Sequence, residues 1–172
     1  MKSLVGRLLP RSIKQAYWDL DTAQKQIRSL EMKVQTLEAM VDALALKARY
    51  TNGEDIGFNG QQVRKRIFRN LIDTVKFDAI IETGTWTGNT TGYIAETSRL
   101  PVWSCELNER FHFIAKTRLS DFPEVHLKLS DSRTFLNDLL QGELVRQCLF
   151  FYLDAHWYDD LPLVEELELI SN

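Results

Sequence analysis

From Ile13 onward, apolar side chains return every seventh residue. Ile13, Leu20, Ile27, Val34, Val41 and Ala48 hold one position of the repeat (a), and Ala16, Ala23, Leu30, Leu37 and Leu44 hold another (d). Neither proline nor glycine interrupts residues 11–52. A helix packed on its own domain shows a broader apolar stripe, whereas a seam this narrow and regular predicts a coiled coil. β-Branched residues at a and leucine at d favour two parallel strands, and Lys33 at g faces Glu38 at e of a partner. The pattern therefore predicts a parallel homodimer through residues 13–48. The exposed Lys33–Glu38 pair contributes only ~0–1 kcal/mol, so it biases register more than stability. Met32, Met40 and Leu46 lie off the seam, and they would widen the face of a helix folded back on its own domain.

Asn52-Gly53 ends that helix and Asn59-Gly60 precedes the next, so residues 53–60 read as a linker. The following helix presents Val63, Ile67, Leu71, Ile72 and Val75 on one side, with Arg64, Lys65, Arg66 and Arg69 as a solvated face or, alternatively, a phosphate or partner site. Four strand–loop–helix units follow. Their strands are the apolar runs at 79–81, 101–105 and 148–153 and the alternating segment at 125–129, and their helices are 90–97, 108–119, 134–140 and 163–172. Right-handed crossovers make this an α/β fold, a Rossmann-like parallel sheet of about four strands preceded by a long coiled-coil helix. The domain organisation is then a tail over 1–10, the coil over 11–52, the linker over 53–60 and an α/β domain over 61–172.

Composition narrows the partners. With 21 basic and 24 acidic residues the formal charge is −3, which argues against non-specific nucleic-acid binding. No apolar stretch approaches the roughly 20 residues that span a bilayer. Residues 1–10 lack both a sustained apolar core and a small-residue cleavage site, so the cytoplasm is the expected location. Cys105 and Cys148 lie in apolar strand runs and read as buried free thiols.

Candidate chemistry gathers at the strand ends, where sheets of this kind bind ligands. Glu82, Glu106, Asp131 and Asp154 each close one strand. Gly84 and Gly88 bracket the turn after the first strand, with Thr85 beside them. The G-x-G-x-x-G pattern and a P-loop lysine are both missing, and Glu82 would repel phosphate. The ligand expected is one without phosphate that carries positive charge. Glu106 offers two acceptor oxygens to a ribose diol, or stands at the start of the next helix near Asn108. Asp131 and Ser132 suit an adenine edge or, equally, a helix N-cap. Trp86 or Phe135 would supply an apolar wall. His156 is the histidine placed to serve as base, while His112 and His126 read as structural. Asp154, His156 and Asp159 or Asp160 would be the ligands of a divalent metal such as Mg2+, although that ion prefers oxygen alone. Trp157-Tyr158 would stack on an acceptor or form a lid.

Glu82-Thr83-Gly84-Thr85-Trp86-Thr87-Gly88 resembles the first motif of the class I S-adenosylmethionine-dependent methyltransferases, E/D-x-G-x-x-x-G. The resemblance extends over roughly residues 60–170. It implies that Glu106 holds the ribose hydroxyls of S-adenosylmethionine, that Asp131-Ser132 flanks the adenine, and that Asp154 borders the methionine moiety and the substrate. It implies methyl transfer to a small-molecule or sugar-like acceptor. The family fold has three further strands, so the sheet is expected to be truncated after residue 172 and activity to require more than this chain. Two alternatives are a non-catalytic coiled-coil scaffold on a degenerate nucleotide fold and a metal-dependent enzyme of another reaction class.

Overall fold

A computed structural model describes residues 10–51, 57–142, 144, 146–156 and 159–171, with the backbone alone at 43 and 45–51. The chain divides into two units, Met1–Glu38 and Ala39–Asn172. Helix α1 runs over Arg11–Thr51, opened by the Pro10 carbonyl, which accepts from the amides of Ile13 and Lys14. In the first unit the seam residues Leu20, Ile27, Leu30, Val34 and Leu37 are 52–60% exposed. In the second, Ala39 is buried against Ile114 with Phe111 and Phe113 beside it, and Asp42 pairs with Arg110 at 2.6 Å. Ala39 and Asp42 lie on the outer face of the heptad helix, so Val41 and Leu44 on the seam stay exposed.

The sheet consists of β1 (Ala79–Thr83), β2 (Val102–Glu106), β3 (Val125–Leu129) and β4 (Leu149–Leu153). It is parallel throughout, in the order β3-β2-β1-β4. The helices between and after the strands are α3 (Asn89–Ser98), α4 (Glu109–Arg118), α5 (Ser132–Leu140) and α6 (Leu163–Ser171), while α2 (Gln62–Thr74) precedes β1. The chain winds outward from β1 to β3 and then crosses back to place β4 on the other side of β1. That reversal opens a crevice at the carboxyl end of β1. β1 is buried along its whole length. Alternation sends Ile80 into a cluster with Phe58, Phe68, Tyr93, Ile94 and Val102, and Ile81 into one with Cys105, Phe135 and Leu136 on the opposite face. Cys105 is buried, but Cys148, just before β4, is exposed, because the strand begins one residue later; both thiols are free. None of the described helices is long and apolar enough to cross a membrane.

Two stretches differ from the sequence reading. The described part of the expected linker, Gly57–Gly60, is a 3-10 turn seated in the core. Phe58 and Asn59 both adopt left-handed backbone angles (φ 51° and 54°), at a cost of about 1–2 kcal/mol each. The Phe58 ring offsets this by burial against Phe68, Tyr93 and Tyr152, with centroids 5.1–5.5 Å away. Its amide donates to Thr90 Oγ1 at 3.1 Å. A Cβ on Gly57 would lie 2.4 Å from Tyr93 Cβ, so only glycine fits there. The second difference is α2, which buries Lys65 and Phe68 while Val63 and Ile67 are more than half exposed. The aromatic box around Phe58 takes Phe68, and this turns Lys65 inward until its ammonium sits 5.3 Å from the centre of the Tyr93 ring.

Phe58→Ala should cost about 3–5 kcal/mol, the range for a large buried aromatic. Equilibrium denaturation measures it, and a loss under about 1 kcal/mol would show that the turn is not part of the core.

Candidate functional site

Gly84 is the first fixed point of the site. Its φ of +84° needs glycine, and a Cβ there would meet the Asp154 carbonyl oxygen at 2.8 Å and the Ala155 amide at 2.9 Å. The chain leaving β1 and the chain leaving β4 therefore touch backbone to backbone. Beyond them lies a cavity of about 470 Å³, within the size range of small-molecule sites. Its lining includes Gly84, Thr85, Glu106, Asp131, Ser132, Asp154 and His156, so residues from all four strand ends meet there.

Each carboxylate has a different environment. Glu106 closes the loops on both sides of β2: Oε2 accepts from the Trp86 amide at 2.7 Å and Oε1 from the Asn108 amide at 2.8 Å. A carboxylate oxygen accepts more than one bond, so acceptor capacity remains for a ligand. Asp131 caps α5 by accepting from the amides of Arg133 and Thr134. The Arg133 guanidinium also grips both of its oxygens, at 3.2 and 2.8 Å, and both oxygens of Asp160, at 3.1 and 2.7 Å. That hydrogen-bonded guanidinium holds the Asp131 carboxyl below the usual range. Asp154 is pushed up by desolvation, partly offset by His156, Arg64 and the hydroxyl of Tyr152. His156 Nδ1 lies 3.0 Å from the Asp154 carbonyl oxygen. A carbonyl only accepts, so Nδ1 is the donor and Nε2 of the neutral ring keeps a lone pair.

Glu82 and Gly88 stand behind the cavity and do not line it. Glu82 is 1% exposed, and its Oε2 accepts from Thr91 Oγ1 at 2.5 Å and Ser104 Oγ at 2.6 Å. Burial raises its pKa to about 7 against the lowering effect of those hydroxyls. Gly88, at φ 77°, is the N-cap of α3, and a Cβ on it would lie 2.9 Å from Leu119 Cδ1. Phe135 belongs to the core; the apolar wall is instead Trp86, half exposed, in edge contact with Phe111 at 6.1 Å. His126 stacks on Trp103 at 4.3 Å on the sheet edge. Trp157 and Tyr158 lie outside the described residues. Among the described residues no three His, Cys, Asp or Glu side chains converge as they would around a metal ion such as Mg2+.

Asn59, Asn89, Leu107 and Pro162 also line the cavity, and nothing in their local sequence singles them out. Arg133 carried a readable signal, because a basic residue two positions after a helix-capping aspartate reaches back to it. Ser104 carried a weaker one, a lone hydroxyl within an apolar strand run.

The native Glu82 pKa of about 7 lies above the ordinary 4.5, so folding takes up a proton at this carboxyl. Its contribution to stability is complete below about pH 4.5 and is lost as pH rises through about 7. Glu82→Gln should remove that dependence. The stability difference between wild type and variant should drift by on the order of 3 kcal/mol over the window, and a flat difference would refute the burial argument.

No family model and no curated protein matches the chain. Solved structures do. An O-methyltransferase from Bacillus cereus, in complex with SAH, superposes with a TM-score of 0.54 at 17% identity, over 77% of this chain and 61% of its own. The chain thus spans about three-fifths of that protein. The 23S rRNA methyltransferase ErmE matches at a TM-score of 0.33 and 22% identity, over 41% of this chain and 30% of its own. The Haemonchus contortus phosphoethanolamine N-methyltransferase 1, in complex with phosphoethanolamine and S-adenosylhomocysteine, matches at 0.33 and 16%, over 59% and 22%. The first likeness shows that part of the chain has the class I S-adenosylmethionine-dependent methyltransferase fold.

Proposed function

We propose that residues 61–172 bind S-adenosylmethionine and form part of a methyltransferase acting on a small-molecule or sugar-like acceptor. One observation carries this reading: the cavity is lined by Glu106, Asp131, Asp154 and Asp160 and, among the described residues, by no lysine or arginine. Such a site repels phosphate and attracts a cation that presents hydroxyls. The fit is consistent residue by residue. Glu106 has spare acceptor capacity for a diol, Gly84 lets backbone approach closely, and Trp86 with Phe111 offers an apolar flank. When bound, the cofactor supplies an electrophilic methyl group on a sulfonium. His156 Nε2 would remove the acceptor's proton, and Asp154 at the same rim adds negative charge where the positive ligand sits.

The reading includes the parallel homodimer through residues 13–48. Its support is a seam exposed along α1 and, within the second unit, a domain contact made by Ala39 on the outer face instead of by the seam. The two unpaired cysteines fit a reducing compartment, which is the basis for placing the protein in the cytoplasm.

Glu106→Ala should weaken binding of S-adenosylhomocysteine by about 10–100-fold, the range for losing hydrogen bonds to a charged group. Calorimetry reads it directly, and a folded chain that takes up neither that ligand nor S-adenosylmethionine overturns the proposal. For the coil, sedimentation at micromolar concentration should show a dimer that Leu30→Lys converts to monomer. A wild-type monomer would remove the coil from the reading.

A further inference from the structure

Glu82 is an unusual place for a carboxylate. It is fully buried at the centre of the sheet, and among the described residues no cation pairs with it. The ionisable groups around it are Glu106 on β2, Cys105 across the sheet on the opposite face, and Tyr152 and Asp154 at β4, with Arg64 beyond Tyr152; α3 contributes the neutral Thr91. Two of these, Glu106 and Asp154, line the cavity and act on Glu82 through their charge. An ionised Glu82 therefore adds a third negative charge to a low-dielectric region that already holds two.

A hydrogen-bonded path links this carboxyl to the ligand side. Ser104 Oγ donates to Glu82 Oε2 at 2.6 Å and so accepts from Thr85 Oγ1, also 2.6 Å away. Thr85 lines the cavity. Two hydroxyls thus connect a solvent-excluded carboxyl with the cavity wall, and hydroxyls pass a proton by donating one while accepting another.

We propose that the Glu82–Ser104–Thr85 chain couples protonation to the charge of the bound ligand. Glu82 gives a proton to solvent when a cation enters the cavity and takes one back when the ligand becomes neutral. The inference rests on the methyltransferase reading and deepens it. Methyl transfer converts a sulfonium cation into a neutral thioether, so Glu82 would be ionised with the methyl donor bound and protonated with the demethylated product. The site would then respond to the single positive charge that distinguishes cofactor from product. Near-neutral titration of Glu82 sets the pH range in which this coupling operates.

The test is calorimetry at pH 7 in two buffers of different ionisation enthalpy, with S-adenosylmethionine and S-adenosylhomocysteine as ligands. Binding of the first should release up to about half a proton and binding of the second should take up as much. That is a difference of up to roughly one proton, since a group half-protonated at about pH 7 has half a proton to give and half a site to fill. Glu82→Gln should abolish the difference, which separates Glu82 from Glu106, Asp154 and His156 at the same cavity. Ser104→Ala keeps the carboxyl and removes one bond to its charged form, so it should move the pH of maximal release upward. If both ligands bind to wild type with equal proton release, the coupling is overturned and the cofactor reading stands. If neither ligand binds, both fall.

Discussion

The close approach at Gly84 is the constraint on which the site depends. β1 lies between β2 and β4 in a parallel sheet, so its carboxyl end opens where the chain direction reverses. The segment after β1 must then pass the segment after β4 with no side chain between them, and the 2.8 Å gap to the Asp154 carbonyl leaves room only for hydrogen. That contact brings the glycine turn and Asp154 to one rim, and Glu106 holds the turn from the other side through the Trp86 amide. A larger residue at position 84 would separate the two strand ends and spread the carboxylates apart.

The same carboxylates hold the backbone and line the cavity at once. Glu106 ties down two backbone amides, and Asp131 caps α5 while Arg133 joins it to Asp160. The hydrogen-bonded guanidinium of Arg133 holds the Asp131 carboxyl below its usual range. Arg133 compensates the charge at one side of the rim, and none of the lining residues supplies a second cation. Negative charge is thereby preorganised before a ligand arrives, and its cost is carried by backbone amides, one guanidinium and the buried hydroxyls around Glu82.

The long helix follows a different logic. Its C-terminal part meets the α/β unit through Ala39, a residue small enough to let the helix lie against Ile114. Val41 and Leu44, the described seam residues in that part of the helix, stay exposed. In the proposed dimer that exposed seam would be the association surface, and the Ala39 contact lies on the opposite face of the helix.

The local features of this protein were legible in its residues. Apolar runs marked β1, β2 and β4 to within two residues, because strands flanked on both faces carry few polar residues, and the alternation of 125–129 marked the edge strand β3. Each strand ended in a carboxylate, and this marked the rim. The residues could not show which carboxylates face a ligand. Glu82 and Glu106 occupy equivalent ends of adjacent strands, yet one is sealed among hydroxyls and the other lines the cavity. Register pairs Glu82 with Ser104, so Glu82 lies on the same face as Glu106 but two residues deeper along the sheet, away from the rim. Nor could they show that Phe58 turns a supposed linker into core, or that Lys65 goes inward in place of Val63 and Ile67. Those outcomes depend on aromatic partners from α2, α3 and β4, distant in sequence, that meet only once the sheet has formed. Periodicity reports which residues prefer burial, whereas tertiary packing decides which of several acceptable faces is buried.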